Sequence, residues 1–402
     1  MGFLAALVAA FAIGHTYRTL PAALAPTLAS ALALEPWAIG VYGATFTLVF
    51  GVMQLPIGIA LDRIDLRRLV VGLLGVAMLG AAVLAAANSL PLLILSQSLI
   101  GIGCSGLWLG VCVHVTRVYP AEEFAWITTI GAAIGMTGMF LTATPLAAVI
   151  EFASWRIAVL LVVALTMLLI LVVAFVPTRG GTAPAAAATK PAVMSLRELF
   201  AIPRILGGVI LSLVSYGSLL AIRGLWIGPY LEFVHALSPT QAGNVIFVVS
   251  AVMIVAPLAL GLADRRGADR RLLIAGAFGI AGVALVVLGV LRPGLAMTAA
   301  LLVVFVAAAS AFVLQYADVR AAAPSGQEGR ALSIVNLSLM LGVAGCQIGA
   351  GALLAMLERS MAPAQAYGLV FAILGAALIA AAGAYVIITV KPSPQAQSPS
   401  AS

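Results

Sequence analysis

The chain has 402 residues, 63% hydrophobic and only 8% charged, with a formal net charge of +7. Soluble domains hold about 25% charged residues, so this composition excludes an ordinary soluble enzyme or binding module. The positive charge does not point to nucleic acid either, because the basic residues lie scattered between long apolar runs.

Twelve such runs follow one another, at residues 4–30, 37–61, 69–87, 91–115, 126–150, 155–176, 205–231, 241–263, 271–291, 295–318, 331–356 and 365–390. Each approaches or exceeds the roughly 20 apolar residues that a bilayer-spanning helix needs. None alternates with the period of a membrane barrel strand. The reading is an all-α membrane protein with twelve transmembrane helices, embedded in a lipid bilayer. The first run is too long for a signal-peptide core and has no basic stretch before it, so it is kept as a helix.

The first run contains AIGHTYRTLPAAL (Ala12–Leu24). Arg18 lies ~20 Å along it at the helical rise, near mid-bilayer and too deep to reach an interface easily. The second run carries Gln54 and leads into GIALDRIDLRR (Gly58–Arg68). The fourth holds Cys104, Cys112 and His114, and the fifth presents small residues on one face (Gly131, Gly135, Gly138, Thr142), which suits close helix packing. The cysteines read as small buried side chains, and no metal-ligand spacing is present.

The longest polar interval, Thr178–Glu198, follows the sixth run and is rich in Gly, Pro and Ala. This composition predicts a flexible linker over 178–203 with a short amphipathic piece at SLRELF. The seventh run places Tyr216, Arg223, Trp226 and Tyr230 on one helical stripe. The eighth leads into GLADRRGADRR (Gly261–Arg271), the tenth carries Gln315, and the eleventh carries Asn336 and Gln347. The tail, KPSPQAQSPSAS over 391–402, reads as disordered.

The halves repeat. Asp62 matches Asp264 at an offset of 202, and PWAIG (Pro36–Gly40) matches PTQAG (Pro239–Gly243) at 203. An internal repeat of six helices is a known transporter design. It predicts an N-terminal six-helix bundle over 1–177 and a C-terminal one over 204–390. Runs three, six, nine and twelve are nearly featureless, so every third helix is expected to face lipid. With the N-terminus inside, inner segments hold fifteen basic residues and outer loops only Arg156, Arg292 and Arg359. This bias places both termini in the cytoplasm.

With twelve helices, a six-plus-six repeat and the loop motif carried by Gly58, Asp62, Arg63, Arg67 and Arg68 and again by Gly261, Asp264, Arg265, Gly267, Arg270 and Arg271, the chain resembles the major facilitator superfamily. Asp65 stands where that motif usually has Gly. The resemblance implies two bundles with pseudo-two-fold symmetry that rock around a central site. It makes Asp62, Arg63, Arg67, Asp264 and Arg265 gating contacts. The alternative is that they are ordinary positive-inside anchors.

Arg18 and Arg223 are repeat neighbours in helices 1 and 7 and are expected to approach a central cavity from opposite bundles. No Asp or Glu lies mid-helix, and buried cations without counter-charge are costly. A small anionic substrate would supply that charge. Arginine in both helices is similar to the organophosphate and organic-anion branch of the superfamily, where the pair binds phosphate or carboxylate. A structural role for Arg18 stays open beside this. Candidate neighbours at the substrate site are His15, Tyr216, Trp226, Asn336, Gln347, Gln54 and Gln315, and His15 is the titratable group suited to proton coupling. The leading expectation is a monomeric secondary transporter of the bacterial inner membrane, without cofactor, taking up an organic anion with protons or by exchange. The alternative is a drug or metabolite exporter, although helix 5 lacks the usual antiporter run. An enzyme is disfavoured, since no nucleophile–base pair or phosphate loop is visible.

Overall fold

The computed structural model describes residues 2–177, 196–265, 269–324 and 327–390. Most of the linker expected over 178–203 (residues 178–195) and the 391–402 tail lie outside the described residues, as do the Asp62 and Arg265 side chains. In chain order the helices are α1 (Gly2–Ala31), α2 (Pro36–Arg63), α3 (Leu66–Ala86), α4 (Leu90–Cys104), α5 (Leu107–Val118), α6 (Ala121–Met136), α7 (Thr144–Phe152) and α8 (Trp155–Phe175). There follow α9 (Leu196–Phe200), α10 (Pro203–Ala221), α11 (Ile227–His235), α12 (Pro239–Arg265), α13 (Arg270–Leu291), α14 (Leu295–Ala309), α15 (Phe312–Ala322), α16 (Glu328–Leu357) and α17 (Pro363–Val390). Among the described residues they form 12 segments long and apolar enough to cross a membrane. The pattern follows the predicted runs closely, because length and apolarity decide where a bilayer helix can lie.

Four of the spans are interrupted, which periodicity does not reveal. The fourth breaks at Ser105–Gly106 between α4 and α5, and the tenth at Ser310–Ala311 between α14 and α15. Ser105 Oγ donates to the Ile102 carbonyl at 2.7 Å, and Ser310 Oγ donates to Val306 at 2.7 Å. These hydroxyls occupy carbonyls at the breaks, as polar side chains in membrane helices commonly do. The fifth passes from α6 through a 3-10 turn at Thr137–Phe140 before α7, and the seventh joins α10 to α11 through a π turn at Ile222–Trp226.

Asp65, the departure from the loop motif, has a local explanation. It caps α3 by accepting from the Arg68 amide at 3.0 Å. Asp269 caps α13 in the same way, accepting from Arg271 at 2.9 Å. Side-chain capping at a helix start is what Asp does best.

The chain forms two compact units whose boundaries do not follow the midpoint of the sequence. The first gathers the described residues of Met1–Ala188 with Ala221–Ile254 and Gln347–Ala364. Glycines explain the joining. A Cβ on Gly228 of α11 would overlap the Ala22 carbonyl of α1. One on Gly40 of α2 would come 2.6 Å from the Gln347 carbonyl, and one on Gly351 of α16 would come 2.6 Å from that of Pro36. Backbones this close need small residues. Polar contacts finish the seam: Glu151 Oε2 accepts from Ser238 Oγ at 3.0 Å and from the Thr240 amide at 2.9 Å, and Thr144 Oγ1 donates to Asn244 Oδ1 at 2.8 Å.

The second unit gathers Thr189–Leu220, Val255–Cys346 and Gln365–Ser402, as far as they are described. Its helices α13 and α17 meet through glycine pairs, Gly282 with Gly375 and Gly289 with Gly368. Its helix ends are tied by ions and carbonyls. Arg270 pairs bidentately with Asp264 at 2.7 and 2.8 Å, Arg271 Nη1 donates to the Thr389 carbonyl at 3.0 Å, and Tyr385 donates to Asp318 at 2.8 Å.

Burial does not single out every third helix. The eighth span is the least buried, at 22%, followed by the second and sixth at 28% each and the twelfth at 33%, while the third and ninth stand at 44% and 50%. Exposure counts a lipid-facing wall and a water-facing wall alike, so it does not rank helices by lipid contact.

Candidate substrate site

The site begins with one stripe of α1. Phe11, Gly14, His15 and Arg18 recur at helical spacing and face a small cleft. Phe46 and Phe50 close it from α2, and Cys104 and Trp108 close it from the two sides of the Ser105–Gly106 break. The break lets this wall come close, since a Cβ on Gly106 would lie 2.5 Å from the Ile57 side chain and 2.7 Å from Leu73.

The walls hold one another. Phe11 meets the His15 ring at 4.7 Å and Trp108 at 4.8 Å, and Phe46 stacks on Phe50 at 5.7 Å. The Arg18 guanidinium lies over the Phe50 ring at 5.5 Å, within cation–π range. Neighbouring turns of α1 are fixed from the opposite side. Tyr17 hydrogen-bonds Thr166 of α8 at 2.8 Å, Thr16 donates to the Gly138 carbonyl at 2.9 Å, and Thr19 meets Thr142 at 2.6 Å.

Arg223 sits in the π turn, where the Ile227 amide bonds back to the Ile222 carbonyl. Such turns insert one residue into a helix and recur at functional sites. Its guanidinium is 1% exposed. Nη2 donates to Ser250 Oγ of α12 at 2.5 Å, while Nε and Nη1 are buried without an acceptor. The π turn that carries Arg223 lies in the same compact unit as α1.

The other candidates scatter. Trp226 is buried against Gly351, where a Cβ would lie 3.2 Å from its ring, so in this structure it packs the interior. Gln347 belongs to the first unit and is buried, its Oε1 without a donor. Gln54 is half-buried on α2. Tyr216, Gln315 and Asn336 belong to the second unit. There Tyr216 packs on Phe312 at 4.8 Å, Gln315 Oε1 accepts from Ser215 at 3.1 Å, and Asn336 Oδ1 accepts from Tyr316 at 3.0 Å. Of the gating candidates, Arg63 is exposed. Arg67 donates to the Ala174 and Val176 carbonyls at 2.6 and 2.5 Å, within its own unit. Asp264 pairs with Arg270, as above.

Sequence reasoning missed Phe11, Phe46, Phe50, Trp108 and Ser250. A signal was present for the first, because Phe11, His15 and Arg18 follow the i, i+4, i+7 stripe of one helix face. Ser250 carried none, as its role depends on the π turn opposite.

A sequence profile described as Major Facilitator Superfamily matches residues 3–346. No curated protein sequence matches the chain. Among solved structures, the chain is similar to a bacterial homolog of the human lysosomal transporter Spinster, in an inward-facing and occupied conformation. That likeness has a TM-score of 0.71 at 18% identity, covering 96% of this chain and 94% of that one. It is also similar to the nucleoside transporter NupG, with a TM-score of 0.74 at 13% identity, covering 98% of this chain and 100% of that one. At such identities the likeness shows the fold.

Proposed function

This chain belongs to the major facilitator superfamily, and on that premise we propose that it is a secondary transporter of a small organic anion, a carboxylate or phosphorylated compound. It acts as a monomer in the bacterial inner membrane with both termini cytoplasmic. The halves 1–177 and 204–390 provide alternating access, and the direction is uptake, coupled to protons or to anion exchange. Arg18 and Arg223 hold the anion, His15 carries the coupling proton, and Asp62, Arg63, Arg67, Asp264 and Arg265 govern the gate.

The observation that carries this reading is the Arg223 guanidinium, buried with one hydroxyl partner and two nitrogens lacking acceptors. A charged side chain at a membrane helix centre costs about 2.5–3.5 kcal/mol even on lenient scales. A single hydroxyl offsets little of that. A carboxylate or phosphate offsets it well, through paired charge-assisted hydrogen bonds to the planar guanidinium. The free protein therefore holds an electrostatic cost that anion binding removes.

The test is a thermal-shift screen of the purified protein over inorganic phosphate, phosphorylated compounds and mono- to tricarboxylates. At least one anion is expected to raise the melting temperature of the wild type and of neither Arg18→Gln nor Arg223→Gln, since a ligand stabilises only the form that binds it. Stabilisation that survives both changes, or that only neutral or cationic compounds produce, would instead favour export with a structural Arg18.

A further inference from the structure

Resting on the anion reading, we infer that the cleft selects a compact aromatic monocarboxylate, a single ring bearing one carboxylate. The lining is the reason. Of its eight residues four are aromatic hydrocarbons or indole, namely Phe11, Phe46, Phe50 and Trp108. Its strong hydrogen-bonding side chains are Arg18 and His15 alone, with the weakly polar thiol of Cys104 beside them.

Three ligand classes can be compared with this wall. A sugar phosphate carries several hydroxyls, each of which loses water on entry and needs a partner. The cleft has two side chains to offer, and the phosphate would occupy both. A dicarboxylate would bring its second charge against the aromatic walls of Phe11, Phe46, Phe50 and Trp108, which hold no cation. A ring with one carboxylate leaves nothing unmatched. The carboxylate takes the edge of the Arg18 guanidinium, whose face remains on Phe50 at 5.5 Å, and His15 offers a further nitrogen. The ring takes the aromatic end. Aromatic pairs favour centroid separations of about 4.5–7 Å in tilted or edge-to-face geometry, and the walls already stand at such spacings, 4.8 Å for Phe11 with Trp108 and 5.7 Å for Phe46 with Phe50. The cleft is small, which suits a compact ligand.

The experiment titrates the full-length protein in detergent by quenching of tryptophan fluorescence, with benzoate, cyclohexanecarboxylate, benzamide and inorganic phosphate as probes. Benzoate is expected to bind at least about fivefold tighter than cyclohexanecarboxylate, because the ring–ring preference is lost in the saturated acid. It should bind at least about tenfold tighter than benzamide, which keeps the ring and lacks the charge. Trp108→Phe should remove most of the quench while benzoate still raises the melting temperature. If cyclohexanecarboxylate binds as well as benzoate, or phosphate alone binds, the aromatic inference fails and the anion reading stands. If benzamide binds as well as benzoate, or no anion binds, both fail. The decisive comparison is between ligands on the wild type, so a variant that misfolds does not blur it.

Discussion

Arg223→Met is expected to yield a protein that melts higher than the wild type without ligand and gains no stability from any anion. Methionine nearly matches the volume of the arginine stem and removes the buried charge. In this structure that charge has Ser250 Oγ as its hydrogen-bond partner and leaves Nε and Nη1 unmatched. Replacing poorly compensated buried charge by an apolar side chain is often stabilising by about 1–4 kcal/mol. In domains of 150–250 residues each kcal/mol shifts the melting point by about 2–4 °C, so a rise of a few degrees is readable in a melting curve. Loss of the anion response belongs to the same substitution. The pairing of gain and loss is what a charge held in readiness for a ligand produces, a trade of stability for function seen at many binding sites. Melting curves of both proteins with and without benzoate or phosphate check it. A lower melting point in the ligand-free variant would mark Arg223 as a structural strut.

Gly138→Ala is expected to damage the fold and the site together, and Gly75→Ala to do neither. A Cβ at Gly138 would overlap the Ala12 carbonyl of α1. The obstacle is backbone, so no side-chain rotation relieves it, and overpacking of this kind costs about 1–3 kcal/mol or more. Moving the 3-10 turn away would also lengthen the bond from Thr16 to the Gly138 carbonyl, now 2.9 Å, with a further loss of about 0.5–1.5 kcal/mol. Ala12 lies about one turn before His15 and nearly two before Arg18 on α1, so the displaced helix carries the cleft with it. At Gly75 a Cβ would meet nothing within 4 Å, and alanine is the better helix former. Melting temperature and anion binding of the pair, measured side by side, decide the point. Equal behaviour of the two variants would contradict the close contact between α1 and the fifth span.

The fold was largely legible in the residues because the bilayer imposes a simple rule of length and apolarity. Run 4–30 became Gly2–Ala31, and run 205–231 became the span Pro203–His235. The depth of Arg18 and its face shared with His15 followed from the same helical arithmetic. The interruptions did not, since the Ser105–Gly106 break and the π turn at Ile222–Trp226 are set by what packs against them. Nor did the company of Arg223. Hydropathy ranks it as another charge in a membrane helix, while the close contacts of Gly228 with Ala22 and of Gly43 with Leu225 set its turn of helix against α1 and α2. The aromatic walls were hidden for a related reason: Phe46, Phe50 and Trp108 read as ordinary apolar residues until three helices bring them around one guanidinium.

The most direct measurement is uptake of radiolabelled phosphate, succinate and benzoate into liposomes containing the purified protein, with Arg18→Gln and Arg223→Gln reconstituted in parallel. The account predicts that at least one anion enters faster than into protein-free liposomes through the wild type and through neither variant. Entry of every anion at the protein-free rate, or equal uptake by the wild type and both variants, would contradict it.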